Sequence, residues 1–192
     1  LFVGGTASGK TTSLNACSLF LPWQHKIVSI EETRELNLPH PNWIPGCTRQ
    51  GFGGEGSATG GKAAGEVDMY DLLRAALRER PEYIIVGEIR GAEAYVLFQA
   101  MATGHTTYST FHADSIQSLV HRLENKPIEI PRVLIPALDG ISIQIQTRVG
   151  GKRVRRNKGI IEIIGIDPHS HELLTNEAFR WDNTVDEFVF TG

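Results

Sequence analysis

A glycine-rich stretch at residues 4–11 constrains this chain more than any other feature of the sequence. It reads Gly-Gly-Thr-Ala-Ser-Gly-Lys-Thr and matches the pattern G-x-x-x-x-G-K-[ST]. Glycines let the backbone approach a phosphate group and turn successive N–H groups inward, which makes an anion-binding nest at a helix N-terminus. We expect Lys10 to contact the β and γ phosphates of a nucleotide and the Thr11 hydroxyl to bind Mg²⁺. The predicted phosphate-binding residues are Gly5, Thr6, Ala7, Ser8, Gly9, Lys10, Thr11 and Thr12.

The residues around this loop have the order that the motif requires. An apolar stub at residues 1–3 enters the loop, and residues 11–21 have the composition of a helix. The stub is too short for a complete strand, and the chain does not begin with Met. We therefore expect it to begin inside a larger protein.

Composition limits the class of protein. The chain has 192 residues, 41% of them hydrophobic, which is enough to bury one substantial core. Its net charge of -3 predicts no general basic surface, so no nucleic-acid partner is expected. No apolar run reaches the roughly 18 residues of a transmembrane helix. Two cysteines, Cys17 and Cys47, exclude a four-cysteine zinc site and are consistent with a reducing cytoplasm.

Acidic residues follow two predicted buried strands. Residues 27–30 form a β-branched run that ends at Glu31 and Glu32, and residues 83–86 precede Gly87 and Glu88. Gly87 stands where P-loop enzymes usually carry a metal-binding Asp, so we expect Glu88 to orient water or act as a general base, contacting Mg²⁺ at most through water. The alternative for the first pair is that it simply begins a solvated turn.

Two histidines flank the next predicted strand, at residues 106–110. His105 precedes it and His112 follows it, a spacing that disfavours a metal pair and favours a polar relay to the γ phosphate. Because the carboxyl ends of parallel strands meet in one crevice, the loop, the acids and the histidines are all expected there.

The remaining segments predict a mixed architecture. Residues 38–65 carry three prolines followed by eight glycines and are expected to be a long irregular loop. Residues 141–149, 154–166, 173–179 and 188–190 read as antiparallel strands. We interpret the basic cluster at residues 152–158 as a solvated edge guard, with a binding patch as the alternative.

Four segments resemble the motifs of one ATPase family. GGTASGKTT, IEETREL, RPEYIIVGEIRG and MATGHTTYSTFHADS look like the Walker A motif, Asp box, Walker B motif and His box of the type II/IV secretion ATPases. The resemblance is strongest to archaeal members, which include pilus, secretion and archaellum motors related to general secretion pathway protein E. It runs through residues 4–122, and LLTNEAFRWD near the C-terminus is similar as well.

The resemblance implies an α/β fold with a RecA-like P-loop core of mainly parallel strands flanked by helices. That core would span residues 1–140, truncated at its N-terminal side, with residues 141–192 forming antiparallel strands packed on it and a separate N-terminal domain absent. The family's catalytic positions map onto Glu88, Glu31 or Glu32, and His112 or His105, with Arg34 and Arg90 inside the matching boxes.

The implied function is Mg²⁺-dependent ATP hydrolysis by a hexameric motor. This motor would drive protein secretion or the assembly of type IV pilus-like or archaellum filaments. It would be cytoplasmic and peripheral to the inner face of the membrane, against a platform protein. The alternatives are a DNA-translocating RecA-like ATPase, a nucleotide-dependent switch without turnover and a small-molecule phosphotransferase.

Overall fold

The computed structural model describes residues 1–51 and 63–192. In these residues nine strands form one sheet in the order β3-β2-β4-β5-β1-β6-β7-β8-β9. The strands from β3 to β6 in that order are parallel, and those from β6 to β9 are antiparallel. The elements in chain order are β1 Phe2–Gly4, α1 Lys10–Ser18, β2 Ile27–Glu31, β3 Trp43–Cys47, α2 Met69–Arg78, β4 Tyr83–Val86, α3 Glu93–Ala102, β5 Thr106–Phe111, α4 Ile116–Glu124, a 3₁₀ helix Arg132–Ala137, β6 Gly140–Val149, β7 Lys152–Ile166, β8 Leu173–Asp182 and β9 Glu187–Phe190.

Buried apolar runs form the central strands of the sheet, and capping residues set where two of its flanking helices begin. Every residue of β2 is buried, and β4 is buried from Ile84 onward, as expected for apolar runs covered on both faces. Helix α2 begins at a capping box formed by Asp68 and Asp71, and α4 begins at one formed by Ser115 and Ser118. The predicted class, a mainly parallel α/β sheet with antiparallel C-terminal strands, is confirmed.

Strand β3 corrects the expectation of an irregular loop over residues 38–65. Residues Trp43–Cys47 pair in parallel with β2, and the Trp43 indole N–H donates to Ser29 Oγ at 2.9 Å. Pro45 is tolerated because β3 lies at the end of the sheet, where an unpaired backbone position costs no ladder hydrogen bond. Residues 52–62 of that segment lie outside the described residues.

The basic cluster at residues 152–158 does not guard an edge. It lies on β7, between β6 and β8, because the C-terminal strands continue the sheet beyond it. Arg156 makes a two-pronged ion pair with Asp186, with Nε–Oδ1 and Nη2–Oδ2 distances of 2.7 and 2.6 Å. The Trp181 indole donates to the same carboxylate at 2.9 Å. This contact ties β7 to the turn between β8 and β9.

The Arg156–Asp186 pair predicts an acid-sensitive contribution to stability. Its hydrogen bonds, those from Arg156 foremost, lower the pKa of Asp186 from 3.8 to about 2. Folding therefore favours the ionised Asp186 carboxylate. This contribution to folding stability is complete at pH values above the unfolded-state pKa of 3.8, and it is lost as the pH falls through the folded-state pKa of about 2. Asp186→Asn should lower the Tm at neutral pH, and the difference from wild type should vanish as the pH approaches about 2.

Thermal unfolding followed by circular dichroism across this pH range tests the prediction. Arg156→Met in the Asp186→Asn background should add little, because the pair is already broken. A Tm difference that is independent of pH would contradict the assignment of the stabilisation to the ionised pair.

Candidate active site

The glycine-rich loop connects β1 to α1 at the carboxyl edge of the parallel strands. Gly4 is tightly enclosed, since a Cβ there would lie 2.3 Å from the Gln144 backbone oxygen on β6 and 2.5 Å from Ser8 Oγ. Gly9 has φ 98°, in the left-handed region that favours glycine. It occupies the N-cap position of α1 with no side-chain cap. The first N–H groups of this helix are thus left for an external acceptor, and the helix dipole favours an anion.

Lys10 extends back along the loop. Its ammonium donates to the carbonyl oxygens of Gly4 and Gly5 at 3.0 and 2.8 Å. Burial lowers the pKa of Lys10, and the carboxylates of Glu88 and Glu35 oppose that shift. An ammonium has three donors, so one remains for a phosphate oxygen.

Glu31 is a buried carboxylate at the end of β2. Its side chain is buried, and Oε1 accepts from the backbone N–H groups of Glu35 and Leu36, each at 3.0 Å. Oε2 has no hydrogen-bond partner among the described residues. A Cβ on Gly87 would lie 3.1 Å from Glu31 Cγ. A side chain at position 87 would therefore press on the buried Glu31 side chain, which would have to shift by a few tenths of an ångström to admit it.

Glu88 lies at the centre of a charged network beyond β4. One oxygen accepts from Arg90 at 2.6 Å, and the other lies 3.0 Å from His112 Nε2. Arg90 also donates to Glu32 at 2.8 Å. The network holds the Glu88 carboxylate from two sides and leaves it partly accessible.

The surroundings of His112 favour its neutral form. Burial and the nearby cations Lys10, Arg122 and Arg90 lower its pKa, and Glu88 opposes them. A neutral ring that donates from Nε2 to Glu88 has an acceptor at Nδ1. His112 can therefore orient Glu88 without neutralising it.

A cavity of about 380 Å³ joins these groups. Its walls include the loop from Thr6 to Thr12, Glu31 and Glu32 at the end of β2, and Glu88, Arg90 and His112. Arg155 of β7 also lines it, with Cδ 3.4 Å from the position of a Cβ on Gly9. The guanidinium of Arg155 has no ion-pair partner in residues 1–51 and 63–192. The sequence does not single out Arg155 within the basic cluster. It does not reveal which strands lie beside β7 or which face of β7 contacts the glycine-rich loop.

Two predicted site residues lie elsewhere. His105 precedes β5, and a six-residue strand separates its ends by about 16–20 Å, so His105 lies at the opposite edge of the sheet from His112. There it lines a different cavity with His25 and Glu82. The guanidinium carbon of Arg34 lies 4.9 Å from the Trp43 ring centroid, and Arg34 does not line the cavity. The expectation that both histidines share one crevice is therefore corrected.

The donor set suits a magnesium ion held with a nucleotide. Thr11, Glu31 and Glu88 offer only oxygen ligands, and Glu31 Oε2 is buried without a partner. In the part of the chain that the structure describes, no group of three or more His, Cys, Asp or Glu residues could hold a metal by itself. The residues therefore fit an ion bound mainly by phosphate oxygens and water, as Mg²⁺ prefers.

Comparisons with known proteins agree with this geometry. A family model described as type II/IV secretion system protein matches residues 1–179. An uncharacterized protein of Methanocaldococcus jannaschii is 48% identical over the whole chain, which spans 68% of that protein. The VirB11 ATPase of the Brucella suis type IV secretion system, solved with sulphate, aligns with a TM-score of 0.65 at 27% identity, over 83% of this chain and 46% of that one.

The pilus retraction motor PilT, solved with ADP, aligns with a TM-score of 0.59 at 28% identity, over 83% of this chain and 45% of that one. The chain thus spans less than half of each of these two solved chains. With the observed sheet, these likenesses confirm the predicted RecA-like core. In the described residues, no helix is long and apolar enough to cross a bilayer.

Opposite effects on the His112 pKa are expected from two substitutions. Lys10→Met should raise that pKa, because it removes a neighbouring cation, and Glu88→Gln should lower it further, because it removes the opposing anion. Proton NMR titration of the imidazole measures both shifts, and loss of the signal in His112→Asn assigns it. Shifts of the same sign in the two variants would contradict the proposed coupling.

Proposed function

We propose that this chain, which belongs to the type II/IV secretion system protein family, carries the ATP-hydrolysing core of a motor. The motor would power protein secretion or the assembly of pilus-like filaments. The observation that carries this proposal is the position of Glu88, which is held by Arg90 and His112 in the same cavity as Lys10 and the glycine-rich loop. A cation, a helix N-terminus and a positioned carboxylate are the parts that phosphoryl transfer to water needs.

Binding of ATP is assigned to the loop and α1. The N–H groups of the loop and of the first helical turn surround the β and γ phosphates, and the remaining donor of Lys10 contacts their oxygens. Thr11 would hold Mg²⁺ directly, and Glu31 and Glu88 through water. The bound ion would neutralise charge that develops on the phosphate oxygens.

We assign to Glu88 the role of orienting the attacking water. A carboxylate has about four lone-pair sites, so Glu88 can accept from water while it accepts from Arg90 and His112. The water oxygen attacks the γ phosphorus, and the bond from that phosphorus to the bridging oxygen breaks. ADP departs with the bridging oxygen, and the proton of the water passes to Glu88 or to the phosphate product. His112 keeps the carboxylate oriented throughout.

The finer features of the motor are also proposals. We propose a hexamer at the cytoplasmic face of a membrane, acting on a platform protein, with pilus, secretion or archaellum systems as its setting. We also propose that a separate N-terminal domain completes the nucleotide site. On this assignment, residues 1–140 are the core, and residues 141–192 extend its sheet.

Glu88→Gln and Lys10→Ala should separate turnover from binding. Glu88→Gln keeps the shape of the side chain but weakens the acceptor for water, so phosphate release should fall by about 100–1,000-fold while Mg-ADP affinity is retained. Lys10→Ala should impair nucleotide binding itself. Phosphate release and equilibrium nucleotide binding, measured on the full-length protein, test both. Full turnover in Glu88→Gln at normal nucleotide affinity would overturn the role of Glu88.

Arg155→Met should weaken nucleotide binding about tenfold, because it removes an unpaired cation beside the loop and keeps the aliphatic stem that packs on Gly9. Arg153→Met is the matched control, since Arg153 lies on the same strand but does not line the cavity. Mg-ADP binding by isothermal titration calorimetry measures both variants. Equal losses in the two would show that Arg155 acts only through the general charge of the strand.

A further inference from the structure

A second cavity lies on the far side of the Glu88 network from the glycine-rich loop. It has a volume of about 640 Å³ and is bounded by the loop after β4, the end of β5, the last turn of α4 and the residues that follow this helix. Of the described residues, the two cavities share Glu88, Arg90 and His112 and no others. These three side chains therefore form the wall between them.

The lining of the second cavity is cationic. Among the described residues, Glu88 is the only acidic residue that lines it, and both oxygens of that carboxylate already have partners in Arg90 and His112. The basic and imidazole side chains that line it are Arg90, His112, His121, Arg122 and Lys126. Arg90, Arg122 and Lys126 carry three permanent positive charges, against the one negative charge of Glu88. Such a lining favours a small anion.

Arg122 is held in place against this wall. It donates to the His112 backbone oxygen, and its guanidinium carbon lies 5.4 Å from the Phe111 ring centroid. A guanidinium has five N–H donors, so most of them remain for a ligand. Lys126 has no ion-pair partner in residues 1–51 and 63–192, and its ammonium is free to contact the same anion. Arg122 and Lys126 lie outside the nucleotide cavity, so neither is needed there for ATP.

We propose that this second cavity is a product site for inorganic phosphate. The inference rests on the proposed ATP hydrolysis. When the γ phosphate is cleaved from ADP, it lies against Glu88 and His112, which also line the second cavity. ADP remains in the loop, which blocks departure on that side. Separation of the Arg90–Glu88 pair opens the wall, and Arg90 is 60% exposed on its side chain and so has room to move. Arg122 and Lys126 then hold the tetrahedral oxyanion by charge-assisted hydrogen bonds.

Equilibrium dialysis of radiolabelled orthophosphate against the full-length protein tests this assignment. Saturating Mg-ADP fills the glycine-rich loop up to the position of the β phosphate, and substitutions that line only the second cavity then distinguish phosphate bound there from phosphate in the γ position. We expect one phosphate per chain, a loss of affinity of about tenfold in Lys126→Met, and a loss at least as large in Arg122→Met. Lys126→Arg should retain binding because it keeps the charge. Lys152→Met is the matched control, an exposed lysine on β7 that does not line this cavity.

The outcomes separate the two proposals. The product site is wrong if Mg-ADP binds but the wild-type protein takes up no phosphate. It is also wrong if Lys126→Met and Arg122→Met both bind phosphate as tightly as Lys152→Met. Neither result affects the proposal for the hydrolytic site. If Mg-ADP itself does not bind, the proposed function is overturned and this inference with it. A loss of phosphate affinity in Lys126→Met that Lys126→Arg restores supports the site.

Discussion

The parallel pairing of β4 with β2 on one side and β5 on the other is the constraint on which the site depends. The three strands are hydrogen-bonded in register, with Val86 opposite Ile30 and Ser109. Parallel strands end at the same edge of a sheet, so the residues after them must meet there. Glu31, Glu88 and His112 are neighbours for this reason, although they belong to three separate segments of the chain. The buried apolar runs that make these strands central also place the polar groups.

Close packing at that edge explains the glycine after β4. The Gly87 N–H donates to the Ile30 oxygen at 2.8 Å, and its own carbonyl accepts from Thr110 Oγ1 at 2.6 Å. Both neighbouring strands therefore fix the backbone at this residue, and Glu31 fills the space beside it. The sequence shows only that position 87 has no side chain. The structure shows that the buried carboxylate of Glu31, from the neighbouring strand β2, lies beside it.

Burial and neighbouring charges act together on the ionisable groups of the site. Burial, followed by the cations Lys10, Arg122 and Arg90, lowers the pKa of His112, and a neutral imidazole can donate to Glu88. Glu88 in turn stays paired with Arg90, whose pKa it raises. Each group depends on neighbours from different elements. Nucleotide phosphates would add negative charge beside Lys10, so binding and the state of His112 are linked.

Local sequence patterns predict the glycine-rich loop, the alternation of strands and helices, and the acids and His112 that follow buried strands. These features are local patterns of residue type and spacing, and local physics makes them readable. Tertiary structure alone decided that Arg155 lies over Gly9, that His105 faces the opposite edge, and that Trp43–Cys47 joins the sheet despite Pro45. Each of these depends on which distant segments pair and in which direction, and no short stretch of sequence carries that information.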